Sequence, residues 1–109
     1  MNAATLASQR CRPLEGHDPM SMDEIDRHLA MVNGWSLVHG SIQKLFSFDD
    51  YGATMAFVNA VAWIAQREDH HPDIAFGFNR CTLRFSTHSV GGISVNDFIC
   101  AAKVDALLE

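Results

Sequence analysis

Pro72 restricts this chain more than any other single residue. Ahead of it, Met55, Val58, Ala62 and Ala65 recur at helical spacing, and Phe57, Val61 and Ile64 widen the stripe, predicting a long helix over about 50–68. The residue before a proline is pushed out of the helical region, so that helix must stop before Pro72. Beyond it, Ile74, Phe76 and Phe78 alternate with other residues, and Cys81, Leu83, Phe85 and Thr87 do the same after Asn79-Arg80. Period two with aromatic enrichment predicts a strand pair. A helix with so broad an apolar surface needs a sheet to cover, and its excess is suited to meet another subunit.

The flanking segments complete the pattern. Ser21 with Glu24 forms a capping box, opening a short helix with Ile25, Leu29 and Val32 on one side and Gly34 just past its end. The stretch WSLVHGSIQKLFSF at 35–48 sets Gly40 between two segments rich in apolar and β-branched residues, which predicts a hairpin. Asp49 and Asp50 are candidate N-caps of the long helix. After Gly91-Gly92, Ser94 with Asp97 opens a last helix bearing Val95, Phe98, Ile99, Ala102 and Ala106. The order α-β-β-α-β-β-α predicts an α+β fold, a four-stranded antiparallel sheet with helices packed on one face. Residues 1–20, with Pro13, Gly16 and Pro19, read as an irregular, mobile arm before a single domain at 21–109.

Charge and composition remove several function classes. Lys and Arg total 8 against 13 Asp and Glu, a net charge of −5, and no basic run exists to track a nucleic-acid backbone or an anionic membrane. No apolar stretch approaches the roughly 20 residues that span a bilayer. Cys11, Cys81 and Cys100 are far apart with no CxxC pair, a usage suited to a reducing compartment. The first dozen residues lack the apolar core of a secretion signal. Arg10, Arg12 and Ser8 resemble an organelle presequence only faintly, so a cytoplasmic protein is expected.

The segment EDHHPDI is the most unusual in the chain. His70 and His71 leave a helix at a proline-restrained corner, and His88 ends a strand on the polar parity of Thr82, Arg84 and Ser86. Histidine, with an unperturbed pKa of about 6.5, both gives and takes protons near neutrality. On spacing alone three readings stand: a catalytic site, a metal site completed by Asp69, Asp73 and His88, or ordinary surface histidines. The metal reading ranks below the catalytic one, because adjacent extended histidines point apart and no HExxH or cysteine cluster accompanies them. Cys81 lies on an apolar parity and reads as a buried small hydrophobe. His17, His28 and His39 have no partner at suggestive spacing, and Trp35 and Trp63 read as core or interface.

The chain resembles the pterin-4a-carbinolamine dehydratase family. The resemblance rests on DHHPD at 69–73, Phe78, STHS at 86–89, the glycine pair 91–92 and Asp97, spaced as in the family without a gap, and it runs from about Ser21 to the end. The leader CRPLEG is similar to that of bacterial members. The resemblance implies dehydration of a 4a-hydroxytetrahydropterin to quinonoid dihydropterin, in tetrahydrobiopterin recycling, with no cofactor or metal. It implies acid and base roles for His70 and His88, ring binding by His71, and Asp97 orienting His88 or holding its charge. Substrate contacts carry over to Asp69, Pro72, Ser86, Thr87 and Ser89, together with the three histidines. It further implies a homodimer or homotetramer and a functional link to an aromatic amino-acid hydroxylase. Two positions depart from the family: Gln66 stands where an acidic residue is usual, with Glu68 half a turn away, and Ile74 replaces the tryptophan of vertebrate members. The competing expectation is a non-enzymatic coactivator or assembly chaperone, since one fold serves several functions. The presence of all three histidines favours the enzyme.

Overall fold

A computed structural model describes all 109 residues. The elements run α1 (Ala3–Ala7), α2 (Met22–Leu29), β1 (Ser36–Val38), β2 (Ser41–Ser47), α3 (Tyr51–Glu68), β3 (Asp73–Phe76), β4 (Arg80–Phe85), a 3₁₀ turn (His88–Val90) and α4 (Val95–Ala106). All neighbouring strands are antiparallel in the order β1-β2-β4-β3, so the fold is α+β as expected. None of the helices is long and apolar enough to cross a membrane.

Alternation decides which face of the sheet is covered. Ile42 and Phe46 of β2 and Cys81, Leu83 and Phe85 of β4 point into the core, where they meet Phe57, Val61 and Ile64 of α3 and Phe98 and Ile99 of α4. The β1–β2 connection is His39-Gly40, with φ of 49° and 79°, the paired positive values that a two-residue type I′ turn requires. Asp50 caps α3, accepting from the Ala53 amide at 2.8 Å, and Ser21 with Glu24 forms the expected capping box of α2.

Four details depart from the sequence reading. Residues 1–20 are not wholly irregular: α1 is capped by Asn2 and buries Leu6 completely, worth about 2 kcal/mol. Five residues are too few for a periodicity to register. The short helix α2 ends at Leu29, so Val32 reaches the core from a turn and Gly34 lies beyond the cap. On α3 the buried stripe is Thr54, Phe57, Val58, Val61, Ile64, Ala65 and Glu68, while Ala62 faces out. Finally, β4 stops at Phe85, and His88 opens the 3₁₀ turn instead of ending a strand. Thr87 bridges to Gly92, and Gly91 at φ 73° lets the chain double back between them.

Helix α4 is buried on nearly every side, from Asn96 through Ala102 without a break. Both α1 and α3 pack against it, and Phe98 and Ile99 share the core with the inner face of the sheet. Lys103 Nζ donates to the Ala7 carbonyl at 2.8 Å, tying α4 to α1.

Candidate active site

The site forms where the exit of α3 meets the start of α4. Asp69 ends α3 in the left-handed conformation at φ 51°, a backbone that aspartate tolerates better than most residues. The His70 amide then bonds back to the Ala65 carbonyl at 3.1 Å. This reversal turns the His70 ring inward, parallel to and offset from Phe85 at a centroid distance of 6.0 Å and an interplanar angle of 8°. The next residue, His71, faces solvent.

His70 Nε2 lies 2.6 Å from Asp97 Oδ1, with the His70 side chain 11% exposed and Asp97 fully buried. The other carboxylate oxygen, Asp97 Oδ2, accepts the Ser94 amide at 2.9 Å and the Thr87 hydroxyl at 2.8 Å. Thr87 and Ser94 hydroxyls are themselves 2.7 Å apart. One residue therefore completes the capping box of α4 with one oxygen and holds a histidine with the other. Every buried polar atom in this knot has a partner, the condition under which a buried polar group is tolerated. Asp97 engages His70 and not His88, which corrects the expectation that it would orient His88. The cap fixes the carboxylate at the base of α4, beside the α3 exit, whereas the 3₁₀ turn carries His88 to the surface.

Two adjoining cavities share Thr87. The first, about 300 Å³, is lined by Cys11, Arg12, Glu15, Asp69, His70 and Ser89 among others. The second, about 270 Å³, is lined by Gly40, Ser86, Thr87, His88, Gly91 and Gly92. The pairing Asp73 to Arg84, continued past the strand ends, sets His71 opposite Ser86. His71 and His88 are both exposed, and neither ring makes a hydrogen bond within the chain. Pro72 is half-buried at the corner between them and the sheet. The largest cavity, about 490 Å³, lies elsewhere, between α1, β2 and the end of α4, and contains none of these histidines. Its Lys44 is already paired with Asp105 at 3.0 Å. Nowhere do three or more His, Cys, Asp or Glu side chains converge as they would around a metal ion.

The leading segment supplies a wall that sequence reasoning missed. Glu68, buried at the end of α3, accepts the Cys11 amide at 2.8 Å and pairs with Arg10 at 3.0 Å. Asn96 clamps the backbone of Arg12 from both sides, accepting its amide at 3.3 Å and donating to its carbonyl at 2.7 Å. Residues 10–15 are thereby held across the mouth of the His70 cleft. The contacts join residues 57 and 84 positions apart, so no local pattern announces them. Glu68 itself was a visible signal: a lone acid on the buried stripe of a helix calls for a partner. Gln66, the departure noted in the sequence, faces solvent.

Residues 18–107 match the family described as Pterin 4 alpha carbinolamine dehydratase. A Nitrosospira multiformis protein named "Putative pterin-4-alpha-carbinolamine dehydratase" is 52% identical over 105 residues, covering 95% of this chain and 93% of that one. A Nitrosomonas eutropha protein of the same name is 50% identical, with 98% of this chain and 96% of the other covered. Among solved structures, a transcriptional coactivator/pterin dehydratase from Brucella melitensis superposes with a TM-score of 0.81 at 28% identity, over 84% of this chain and all of its own. A pterin dehydratase-like RuBisCO assembly factor of the alpha-carboxysome gives 0.56 at 28% identity, over 67% of this chain and 84% of its own.

Proposed function

The chain belongs to the pterin 4 alpha carbinolamine dehydratase family, and from that premise we propose that it removes water from a 4a-hydroxytetrahydropterin by histidine acid/base catalysis. The observation that carries this reading is the 2.6 Å contact between His70 and a fully buried Asp97 beside a polar cleft. The reaction needs a proton delivered to the departing hydroxyl and another taken from the adjacent ring nitrogen, leaving a carbon–nitrogen double bond. With the Nε2 proton of neutral His70 donated to Asp97, Nδ1 is left as the basic atom, and the carboxylate stabilises the imidazolium formed when it takes a proton. His88, free at the rim of the adjoining cavity, is the proposed acid for the hydroxyl, and His71 holds the ring. Asp69, Pro72, Ser86, Thr87 and Ser89 line or frame the two cavities and are the proposed substrate contacts.

The same reading places the reaction in tetrahydrobiopterin recycling, downstream of an aromatic amino-acid hydroxylase, in the cytoplasm, without metal or cofactor. It includes a homodimer or homotetramer, supported by Trp63 on α3, which is 62% exposed, and by two open sheet edges. Light scattering at micromolar concentration should give a mass above that of one chain.

The deciding experiment is a coupled assay following loss of the 4a-hydroxypterin, with purified protein compared against the spontaneous rate and against Asp97→Asn. Dehydration well above background that drops in the variant supports the reading. Parent protein no faster than background overturns it in favour of an interaction protein, the role suggested by the assembly-factor relative.

A further inference from the structure

Two of the three cysteines meet at the wall of the His70 cleft, and the acid/base chemistry uses neither. Cys11 Sγ lies 3.6 Å from Cys100 Sγ, in van der Waals contact, although 89 positions separate them. Cys11 belongs to the leading segment, is half-buried and is one of the residues lining the cleft, with its Sγ also donating to the Asn96 carbonyl at 3.6 Å. Cys100 is fully buried, on α4 one turn beyond Asp97. Cys81 is buried in the core on β4 and is not part of this pair.

We propose that Cys11 and Cys100 form a thiol–disulfide exchange site, in which a low-molecular-weight disulfide attacked by Cys11 is reduced and an internal Cys11–Cys100 bond is formed. The sequence of bonds is ordered by exposure. The Cys11 thiolate attacks the small disulfide, giving a mixed disulfide on Cys11 and releasing one small thiolate. Cys100 then loses its proton to the released thiolate and attacks the Cys11 sulfur, expelling the second small fragment as a thiolate, which takes up from solvent the proton that Cys11 gave up on ionising. Two protein thiols are oxidised, one disulfide is reduced to two thiols, and no other reactant is needed.

The environment fixes which sulfur reacts first. The hydrogen bond with Cys11, then burial, then the charges of Cys11, Glu68 and Asp97 push the Cys100 thiol well above the ordinary cysteine range. The largest of these causes is Cys11 itself, and it is removed once Cys11 carries a mixed disulfide, so the buried Cys100 is suited to act second, as a resolving thiol does. Closing the pair shortens the sulfur separation by about 1.5 Å, to the usual bond length of about 2.05 Å. The Glu68 and Asn96 contacts already hold the segment in register for this movement. The product pins the cleft wall to the helix that carries Asp97.

The test uses the full chain, oxidised glutathione as the probe, and intact-protein and peptide mass spectrometry after alkylation under denaturing conditions. The expected parent product has lost two hydrogens, retains one alkylatable thiol at Cys81, and yields a peptide joining Cys11 to Cys100. Cys100→Ser should stop at a stable glutathione adduct on Cys11. Cys11→Ser should leave both remaining thiols free, with circular dichroism verifying that each variant is folded. Three alkylatable thiols in the treated parent, a persistent adduct on its Cys11, or a bond involving Cys81 would each overturn the proposal. The readout is mass, so the result stands apart from whether the dehydratase assay succeeds.

Discussion

The inner and outer halves of the site obey different rules. On the inner side, His70, Asp97, Thr87 and Ser94 form a knot in which each buried polar atom has its partner before any ligand arrives, and only Nδ1 of the His70 ring is left open. On the outer side, His71 and His88 are exposed and unbonded within the chain. The adjacent residues 70 and 71 fall on opposite sides of this divide, so position in sequence does not decide the role. A pre-formed knot fixes one ring at the expense of adaptability, and free rings leave orientation to the substrate.

The sharpest way to break the comparison is to remove the centre of the inner half. Asp97→Ala strips a buried acceptor from the Ser94 amide, the Thr87 hydroxyl and His70 together. A stability loss of about 3 kcal/mol is expected in urea unfolding, because the Ser94 amide and His70 Nε2 are left without a partner, while the Thr87 hydroxyl keeps only that of Ser94. A loss below about 0.5 kcal/mol would mean that the knot is not tightly coupled.

The catalytic contrast comes next. His70→Ala and His88→Ala should each reduce kcat by a factor of about 10²–10⁴ after subtraction of the spontaneous rate. Only His70→Ala should also destabilise the fold measurably, since the exposed His88 should change stability by less than about 0.5 kcal/mol. The double variant should lose far less than the product of the single losses if the two rings act as a unit. Equal stability of the two single variants would erase the distinction drawn between the halves. His71→Ala should act mainly on KM, because a ring that only holds substrate contributes equally to ground and transition states.

Much of this architecture is written locally. Pro72, the alternation on β4, and the Ser21–Glu24 and Ser94–Asp97 boxes place the elements because each acts over a few residues. The site is legible only in part. His70, His88 and Asp97 stand out as residue types, but which histidine meets the carboxylate depends on how α3 exits against α4, and that is tertiary. The leading segment was misread for the same reason: Pro13, Gly16 and Pro19 speak locally of irregularity, while Glu68 and Asn96 hold it from afar.

The smallest effect lies far from the site and serves as a control. Hydrogen bonds from the Ser21 backbone and hydroxyl, with lesser help from Arg27 and His28, hold the Glu24 carboxyl below its ordinary value of 4.5. A depressed folded-state pKa means stability present above that value and lost as pH falls through the folded one. Thermal melts of the parent and Glu24→Gln should therefore differ slightly at neutral pH and converge in acid. Activity should be unaffected in both halves of the site.

The pairing of α1 with α4 has a consequence for the chain during its synthesis. Roughly 90 residues lie between Ala7 and Val95, and translation proceeds at roughly 5–20 residues per second, so α1 waits on the order of 5–20 s for its partner to be made. Throughout that interval Leu6 has no core to enter, and Glu68, once translated, has only half of its cleft to hold. The nascent protein is thus a ribosome-borne chain with an uncommitted leading segment, and its last helix is the piece that lets the first one settle.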